Sequence, residues 1–189
     1  MTRPQGAGSD LPSSRSVEDV IMDPAATDGR TLSAGDERLD RVLCELVDPL
    51  APPDYVALQA WLTPANDTWL ELQAMREALL RERKVATSEG FAPRLLPITG
   101  QLHKGGPAAG IFVQFVSDGG PDLPVPGQSY SFARLKHAQS LADLQALRAR
   151  GRRVLRVDVG PDAVAGLRAF RRRLERALDD SACSPARAA

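Results

Sequence analysis

The sequence predicts an α+β fold, in which an N-terminal three-helix unit precedes a small, mainly antiparallel sheet covered by two helices. Three observations predict it. Apolar residues recur at helical spacing up to about residue 84, glycine and proline punctuate the chain from Gly90 onward, and short β-type segments follow that change. No repeat with a period of 20 to 50 residues is present, so a solenoid is not expected.

The first half shows three helical patterns. From Asp36, apolar residues are spaced three and four apart until Pro49 ends the pattern. A second short helix is predicted over residues 54–62. Thr63 and Pro64 then provide a capping hydroxyl and a proline suited to the first helical position of a third helix. The apolar residues of these three patterns are Leu39, Val42, Leu43, Leu46, Val47 and Leu50, then Tyr55, Leu58, Trp61 and Leu62, then Trp69, Leu72, Met75, Leu79 and Leu80.

The second half predicts strands and helices in the order strand, strand, helix, strand, helix. Residues 111–116 and 130–135 are predicted as the first two strands, the second from its period-two alternation. A helix over residues 140–150 is stopped by Gly151 in the manner of a left-handed cap. A strand over residues 154–159 follows, and Gly160, Pro161 and Asp162 open the last helix.

Composition divides the chain into one domain and two tails. Residues 1–35 are rich in Gly, Ser, Pro, Asp and Thr, with too few large apolar groups to offset the entropy of ordering, and we expect them to be disordered. Residues 36–179 are predicted to form a single α+β domain, and residues 180–189 a disordered tail. The 43% hydrophobic and 25% charged content is that of an ordinary globular protein.

The sequence predicts a cytoplasmic protein. No apolar stretch approaches the length needed to cross a bilayer, and the N-terminus lacks the apolar segment of a signal peptide. Cys44 and Cys183 lie far apart in the sequence, so we expect no disulfide between them. Of the 24 basic residues only Lys84, Lys104 and Lys136 are lysine, a bias typical of a GC-rich coding sequence such as that of a bacterium or one of its phages.

Charge is unevenly distributed between the two parts of the chain. Residues 1–129 hold 11 basic and 18 acidic residues, a net charge of −7, whereas residues 130–189 hold 13 and 6, a net charge of +7. The last helix carries an arginine stripe (Arg168, Arg172 and Arg176), and Arg152 and Arg153 precede a strand. These arginines are candidates for binding a partner or an anion such as nucleic acid. A solvated helix face, or an internal or intersubunit match to the acidic first half, is the favoured alternative.

Two tryptophans are candidates for a partner-binding anchor. Trp61 and Trp69 lie at helical spacing on apolar faces, together with Tyr55. Core packing is the ordinary explanation of this pattern, and an exposed anchor for another protein is the alternative.

Known catalytic and cofactor motifs are missing from the sequence. The glycine-rich segment 103–110 precedes a strand rather than a helix and does not match a phosphate-binding loop, so a flexible connector is expected. His103 and His137 lack nearby ligand-type residues at zinc-site spacing. We therefore expect no cofactor and no metal. No Gly-x-Ser-x-Gly elbow indicates a hydrolase.

Asp158 is the one residue that suggests catalysis. It ends an apolar strand, a position where phosphoryl-transfer enzymes and nucleases often place a metal-binding carboxylate, and Asp162 follows four residues later. Asp118 and Asp122 are its candidate companions. A first-turn charge that complements the helix dipole explains Asp162 equally well.

The function predicted from these patterns is that of a non-catalytic protein–protein interaction or accessory protein, such as an adaptor or assembly factor. Its partner is expected to be another protein or a second copy of the chain, bound through complementary charge and an aromatic anchor. The first alternative is a nucleic-acid-binding accessory protein that uses the arginine-rich last helix. The second is a small metal-dependent hydrolase or nuclease built around Asp158. No membrane partner is expected.

Overall fold

The computed structural model describes residues 31–120, 122–179 and 183 of the chain. Strands and helices alternate along this part of the chain. In order, the elements are β1 (Thr31–Ser33), α1 (Arg38–Val47), β2 (Tyr55–Trp61), α2 (Asn66–Arg83), β3 (Ala86–Phe91), α3 (Thr99–Gly105), β4 (Gly110–Val116), α4 (Phe132–Ala149), β5 (Arg153–Asp158) and α5 (Ala163–Leu178).

The strands form one five-stranded sheet in the order β1-β5-β4-β2-β3, and every pairing within it is parallel. The predicted α+β fold, with its N-terminal three-helix unit and mainly antiparallel sheet, is therefore wrong, and the described residues have a Rossmann-like α/β arrangement. The error arose because central parallel strands are buried on both faces and show continuous apolar runs rather than alternation. Such runs resemble buried helices in a sequence.

Four elements differ from their predictions. The helix predicted over residues 54–62 is β2, whose residues are almost all buried. The strand predicted over residues 130–135 is the start of α4, which Ser131 caps by accepting a hydrogen bond from the Arg134 amide. β3 and α3 were not predicted, because Gly90, Pro93, Pro97 and Gly100 suggested irregular chain.

Five other elements confirm their predictions, with ends that shift by a few residues. α1, α2, β4, β5 and α5 all lie where apolar periodicity placed them. Asp162 caps α5 through its carboxylate, which accepts a hydrogen bond from the Ala165 amide at 3.0 Å. Gly151 follows α4 with a φ of +65°, which is the left-handed conformation expected there.

One face of the sheet packs on α1, α2 and α5 and forms the main core. The strands contribute aliphatic and aromatic residues such as Leu58, Val113 and Phe115, and the helices contribute Leu43, Leu72 and Phe170 to the same cluster. Phe115 and Phe170 meet edge to face with ring centroids 4.9 Å apart. This face excludes water along most of its length.

The opposite face packs on α3 and α4 and is divided into smaller apolar clusters. Leu141 and Leu144 belong to one cluster, Phe112 and Leu147 to another, and Trp61 to a third. Buried polar residues lie between these clusters, including Gln59, Gln114 and Arg156. The two faces of the sheet therefore differ in chemistry.

The N-terminal end of the described region corrects one expectation. Thr31–Ser33, inside the segment 1–35 predicted to be disordered, forms β1 by pairing with residues 156–158 of β5. The rest of that prediction concerns residues 1–30, which lie outside the described residues. Most of the predicted tail 180–189 lies outside them too. The prediction of a single domain over residues 36–179 stays a prediction.

Cys44 on α1 and Cys183 form a disulfide, contrary to the sequence prediction. The long sequence separation was misleading because α1 and α5 pack side by side. Cys183 lies beside α1, and the two Cα atoms are 5.6 Å apart. Cytoplasmic localisation, which was argued partly from unpaired cysteines, loses that support. Among the helices of the described residues, none has the length and apolar character needed to cross a bilayer.

Candidate ligand-binding site

The strand order creates a crevice between the carboxyl ends of β2 and β4. The two strands that follow β2 in the sequence pair with opposite sides of it: β3 with one side and β4 with the other. The chain that leaves β2 therefore runs toward one edge of the sheet, and the chain that leaves β4 runs toward the other edge. In open parallel sheets ligands bind outside the carboxyl ends of the strands at such a switch point.

A cavity of about 670 Å³ occupies this crevice. Its walls are the end of β2, the loop after β4 and the first half of α4. The lining is formed by residues 61–64, Ala92, residues 116–120, Asp122, Leu123, residues 131–134, Lys136, His137 and Ser140. The volume lies within the range of small-molecule sites, about 300–1,000 Å³.

The loop after β4 is fixed against the loop after β5. The Ser117 hydroxyl donates to the Gly160 carbonyl at 2.6 Å and accepts from the Gly119 amide at 3.0 Å. Gly119 packs so closely on the backbone of Pro161 that a side chain at this position would collide with it. The cavity wall formed by residues 117–120 is thereby held in place by main-chain contacts.

The amino end of α4 meets the cavity with its first amide groups already bonded. The Asp122 carboxylate accepts from the Ala133 amide at 2.9 Å, and Ser131 accepts from the Arg134 amide at 3.3 Å. Hydrogen bonds from the Ser131 hydroxyl and the Ala133 amide hold the pKa of Asp122 below its ordinary value. Asp122 is therefore a capping group that stays ionised at neutral pH.

Other charged groups of the cavity wall have no ion-pair partner among the described residues. Arg134 is exposed, whereas Lys136 and His137 are half-buried, and all three lie on α4. Burial lowers the pKa of His137, the nearby Arg156 lowers it further, and Asp118 opposes both effects. His137 is therefore neutral at pH 7 and is available as a hydrogen-bonding group.

A row of polar side chains crosses the sheet beneath the cavity. Gln59, Gln114 and Arg156 are register partners on β2, β4 and β5. Arg156 donates to the Gln114 side-chain oxygen at 3.2 Å and to the Ser140 hydroxyl at 2.9 Å. Since Ser140 also lines the cavity, Arg156 lies one side chain below the cavity surface.

Arg156 is a buried cation with no direct counter-ion among the described residues. It is 2% exposed, and its recorded bonds go to two neutral side chains. Burial first, and repulsion by Arg148 second, lower the pKa of Arg156 to about 10, while Asp118 and Asp158 oppose the shift at longer range. The guanidinium is still charged at neutral pH.

The polar row continues to α3 through a buried ion pair. Gln114 donates to Asp143 at 3.0 Å, and Lys104 lies 2.6 Å from the other oxygen of that carboxylate. Gln59 is hydrogen-bonded to Nδ1 of His103 at 3.2 Å. Burial lowers the pKa of His103. The network thus ties α3 and α4 to three neighbouring strands.

Trp61 is buried in the cavity wall rather than displayed as an anchor. It ends β2, it is 1% exposed, and its indole N–H has no hydrogen-bond acceptor among the described residues. A buried donor without an acceptor costs about 1–3 kcal/mol. An acceptor group placed in the cavity would remove that cost if it reached the nitrogen.

The arginine stripe of α5 is largely engaged by acidic residues of the first half. Arg168 and Arg171 both bind Glu71 of α2, at 2.9 and 2.8 Å. Arg173 and Arg176 bind Asp40 of α1, at 2.7 and 3.4 Å. Arg172 is exposed and makes no ion pair with the part of the chain that is described. Most of the predicted binding surface thus joins helices to one another.

Arg152 and Arg153 lie at the opposite edge of the sheet from the cavity. Arg152 donates to the carbonyl groups of Lys104 and Gly106, and Arg153 binds Asp54 at 2.7 Å. The glycine-rich segment 103–110 therefore presents carbonyl oxygens to an arginine rather than amides to an anion. These two arginines fix loops at the start of the strands.

Trp69 differs from Trp61 because it faces outward. It lies on α2 and is 44% exposed, and its neighbour Leu70 is 49% exposed. The structure therefore separates the two tryptophans that the sequence grouped together.

The carboxylates considered for catalysis have structural partners. Asp158 accepts from the Gly160 amide at 2.8 Å, and Asp162 caps α5. Asp118 and Asp122 line the cavity, but Asp122 caps α4. Among the described residues no group of three or more His, Cys, Asp or Glu side chains is placed to hold a metal ion.

Sequence reasoning missed the main features of this site. Arg134 fell in a segment predicted as a strand, and Lys136 was not considered as a site residue. His137 was considered only as a zinc ligand, and Arg156 was one of many arginines. The usable indication was an arginine inside an otherwise apolar strand, since charged residues seldom occupy buried positions without a reason.

Comparisons with known proteins support the fold alone. No protein-family model and no curated protein matches the chain. A solved structure, the hypothetical protein TT0462 from Thermus thermophilus, is similar with a TM-score of 0.56 and 12% sequence identity. The match covers 74% of this chain but only 38% of that protein, so the chain spans well under half of its length.

Proposed function

We propose that this chain is a small-molecule-binding protein whose ligand occupies the switch-point cavity. The observation that carries the proposal is a cavity of about 670 Å³ at the carboxyl ends of β2 and β4, lined by both apolar and charged side chains. A binding role agrees with the non-catalytic accessory function expected from the sequence, and adds a ligand to it.

The lining supports a ligand with a planar apolar part and a polar part. The half-buried Val116 and Phe132, which is 49% exposed at the helix start, supply apolar surface. Asp118 and His137 supply polar groups that make no ion pair with other described residues. This combination of apolar walls and a few polar groups is typical of ligand pockets.

The test is a thermal-shift and tryptophan-fluorescence screen of the purified chain. The panel contains nucleosides, nucleotides, aromatic carboxylates, their amides and sugar phosphates. A compound present at 100 times its dissociation constant stabilises the folded state by about 2.7 kcal/mol, which is a readily measured shift. We expect at least one compound class to raise the melting temperature and change the fluorescence.

Two matched variants locate the binding. Ala133→Leu fills part of the cavity wall, whereas Ala149→Leu places the same side chain at the exposed far end of the same helix. The proposal requires that Ala133→Leu lose at least tenfold in affinity while Ala149→Leu keeps it. Equal affinity in the two variants, or no binding by any compound, would overturn it.

Self-association through α2 is a second candidate function, favoured by the exposure of Trp69 and Leu70. Buried aromatic anchors dominate many protein interfaces. Under this proposal the chain is at least dimeric in light scattering at micromolar concentration, and Trp69→Ala makes it monomeric. A monomeric wild-type chain over that range would exclude it.

Nucleic-acid binding and hydrolysis have less support. Arg168 and Arg176 already bind carboxylates of the same chain, and Asp158 is bonded to a backbone amide. Retention on heparin at low salt that is lost in Arg172→Ala would restore the first alternative. A metal-dependent activity that Asp158→Asn removes would restore the second.

A further inference from the structure

We infer that the ligand of the switch-point cavity carries an anionic oxygen group, a carboxylate or a phosphate, whose charge is compensated by Arg156 from beneath the cavity wall. This inference rests on the proposed function and narrows it to a class of ligand. It is argued from the position of one buried guanidinium and its surroundings.

The first step concerns charge balance around Arg156. A buried ion is costly unless it is paired, and the desolvation cost amounts to several kcal/mol per ion. Arg156 is 2% exposed and makes no ion pair within the described ranges. Gln114 and Ser140 satisfy hydrogen bonds of the guanidinium but contribute no negative charge.

The second step concerns where a counter-charge can enter. Ser140 is bonded to Arg156 and also lines the cavity, so a single hydroxyl separates the guanidinium from that space. On the other sides Arg156 is enclosed by the sheet and by α4. An anion in the cavity would therefore lie close to Arg156 across a region of low dielectric constant, where charges interact strongly.

The third step concerns the other charges of the wall. Arg134 and Lys136 line the cavity without ion pairs to described residues, whereas Asp122 is engaged by the amino end of α4. Asp118 remains as the one other carboxylate in the described lining. With Arg156 included, three permanent cations face two carboxylates, one of them already bonded, which favours an anion over a cation.

The fourth step concerns the buried donor in the same wall. The indole N–H of Trp61 has no acceptor among the described residues, although Trp61 is 1% exposed. An anionic oxygen is a strong acceptor for such a donor. The same cavity is therefore bordered by a buried donor without an acceptor and, one side chain below Ser140, by a buried cation without an ion pair.

The experiment compares ligand pairs that differ mainly in charge. The probes are AMP against adenosine and benzoate against benzamide, with affinities measured by calorimetry or fluorescence on the full chain. We expect the charged member of at least one pair to bind at least tenfold more tightly. Binding of only neutral compounds at the cavity would overturn the anion inference and leave the proposed function intact, whereas no binding by any compound would remove both.

Variants of Arg156 test whether this residue compensates the charge of the ligand. Arg156→Met is expected to lower the affinity for the charged member at least tenfold more than it lowers the affinity for the neutral member. Arg156→Lys keeps the charge and should retain part of the preference. An Arg156→Met chain that folds, as judged by circular dichroism, and still prefers the anion would overturn the assignment.

If Arg156→Met does not fold, the salt dependence of the preference for the anion still tests the role of Arg156. Exposed cations are screened at high ionic strength, because the Debye length falls to about 3 Å at 1 M salt, but a buried cation is screened much less. We expect the wild-type preference for the anion to persist, within threefold, between 0.1 and 1 M sodium chloride. A preference that disappears over this range would assign the charge to the exposed Arg134 and the half-buried Lys136, and would overturn the role of Arg156.

Discussion

The two faces of the parallel sheet are made from the same strands but differ in what they bury. The face under α1, α2 and α5 holds one continuous cluster of aliphatic and aromatic side chains. The face under α3 and α4 holds three smaller clusters, separated by Gln59, Gln114 and Arg156. The first face provides most of the apolar burial, and the second provides the wall of the cavity.

This difference shows that polarity in the core is concentrated near the candidate site. Buried polar groups are costly, so a fold that needs only stability would bury aliphatic side chains on both faces. Here the polar residues occupy one register row on three adjacent strands and lead to Ser140 in the cavity wall. Four predictions test whether the two faces are separate in stability and function.

The largest effect is expected on the apolar face. Phe170→Ala removes a ring that is 1% exposed and packs edge to face on Phe115, so it should lower the free energy of unfolding by about 3–5 kcal/mol. Denaturant unfolding measures this loss. Leu70→Ala, at an exposed position, is the control and should change stability by less than about 0.5 kcal/mol. A loss below about 1 kcal/mol in Phe170→Ala would mean that this face is not the main core.

The next largest effect is expected in the polar row. Gln114→Leu removes one hydrogen bond from the buried Arg156 guanidinium, which keeps its bond to Ser140, and one from Asp143, which keeps its contact with Lys104. We expect a loss of about 3 kcal/mol. A double-mutant cycle with Arg156→Met measures the coupling. Because Arg156→Met removes the cation that loses a hydrogen bond in Gln114→Leu, the double variant should be more stable than the sum of the single losses predicts. Strict additivity would show that the row is not one network.

A smaller loss of stability is expected from breaking the ion pairs between helices, and the loss should be larger for a buried pair than for an exposed one. Burial alone would raise the pKa of Glu71, but hydrogen bonds from Arg171 and Arg168 outweigh burial and hold that pKa below its ordinary value. Glu71→Gln should therefore cost about 2 kcal/mol. Asp40 is half-exposed, so Asp40→Asn should cost about 0–1 kcal/mol and serves as the comparison. Equal losses in chemical denaturation would contradict the distinction.

The smallest effect is expected from mild acid, and on the polar face alone. Burial lowers the pKa of both His103 and His137, so the unfolded chain binds these protons at a higher pH than the folded chain does. Stability should therefore decrease as the pH falls from about 7 through the ordinary histidine pKa. The carboxylates Glu71 and Asp122, whose pKa values are lowered, lose their contribution only at more acidic pH.

Denaturant unfolding at pH 7.5 and pH 5.5 measures this dependence. A His103→Gln/His137→Gln variant should show a smaller loss between the two values than the wild-type chain, whatever its stability at pH 7.5. If both chains lose the same amount of free energy, groups other than these histidines cause the acid sensitivity.

Helices with one buried side were predictable from the sequence, and so were strands β4 and β5, whereas β2 was mistaken for a helix. α1 and α5 show clear apolar stripes, and the capping side chain of Asp162 marks the start of α5. β2 lacks alternation because both of its faces are covered, and its apolar residues also satisfy a helical spacing. The alternation of residues 130–135 was equally misleading, since α4 begins within it.

The candidate site was harder to predict than the fold, because it depends on strand order. The cavity forms because β3 and β4, which follow β2 in the sequence, pair with opposite sides of β2. Tertiary packing determines this strand order. Arg134, His137 and Ser140 lie within three turns of one helix. Their common direction was hidden because residues 130–135 were assigned to a strand and the helix was expected to begin near residue 140. The fate of the α5 arginines was anticipated in outline, since a match to the acidic first half was the favoured explanation.

The disulfide between Cys44 and Cys183 has a consequence for the chain as a whole. The two cysteines are 139 positions apart, so their bond closes a covalent ring that contains β2 to β5 and α2 to α5. A protease that cuts once within this ring releases no fragment until a reductant is added. Under oxidising conditions the nicked protein would migrate as one particle, and the integrity of the backbone could not be judged without dithiothreitol.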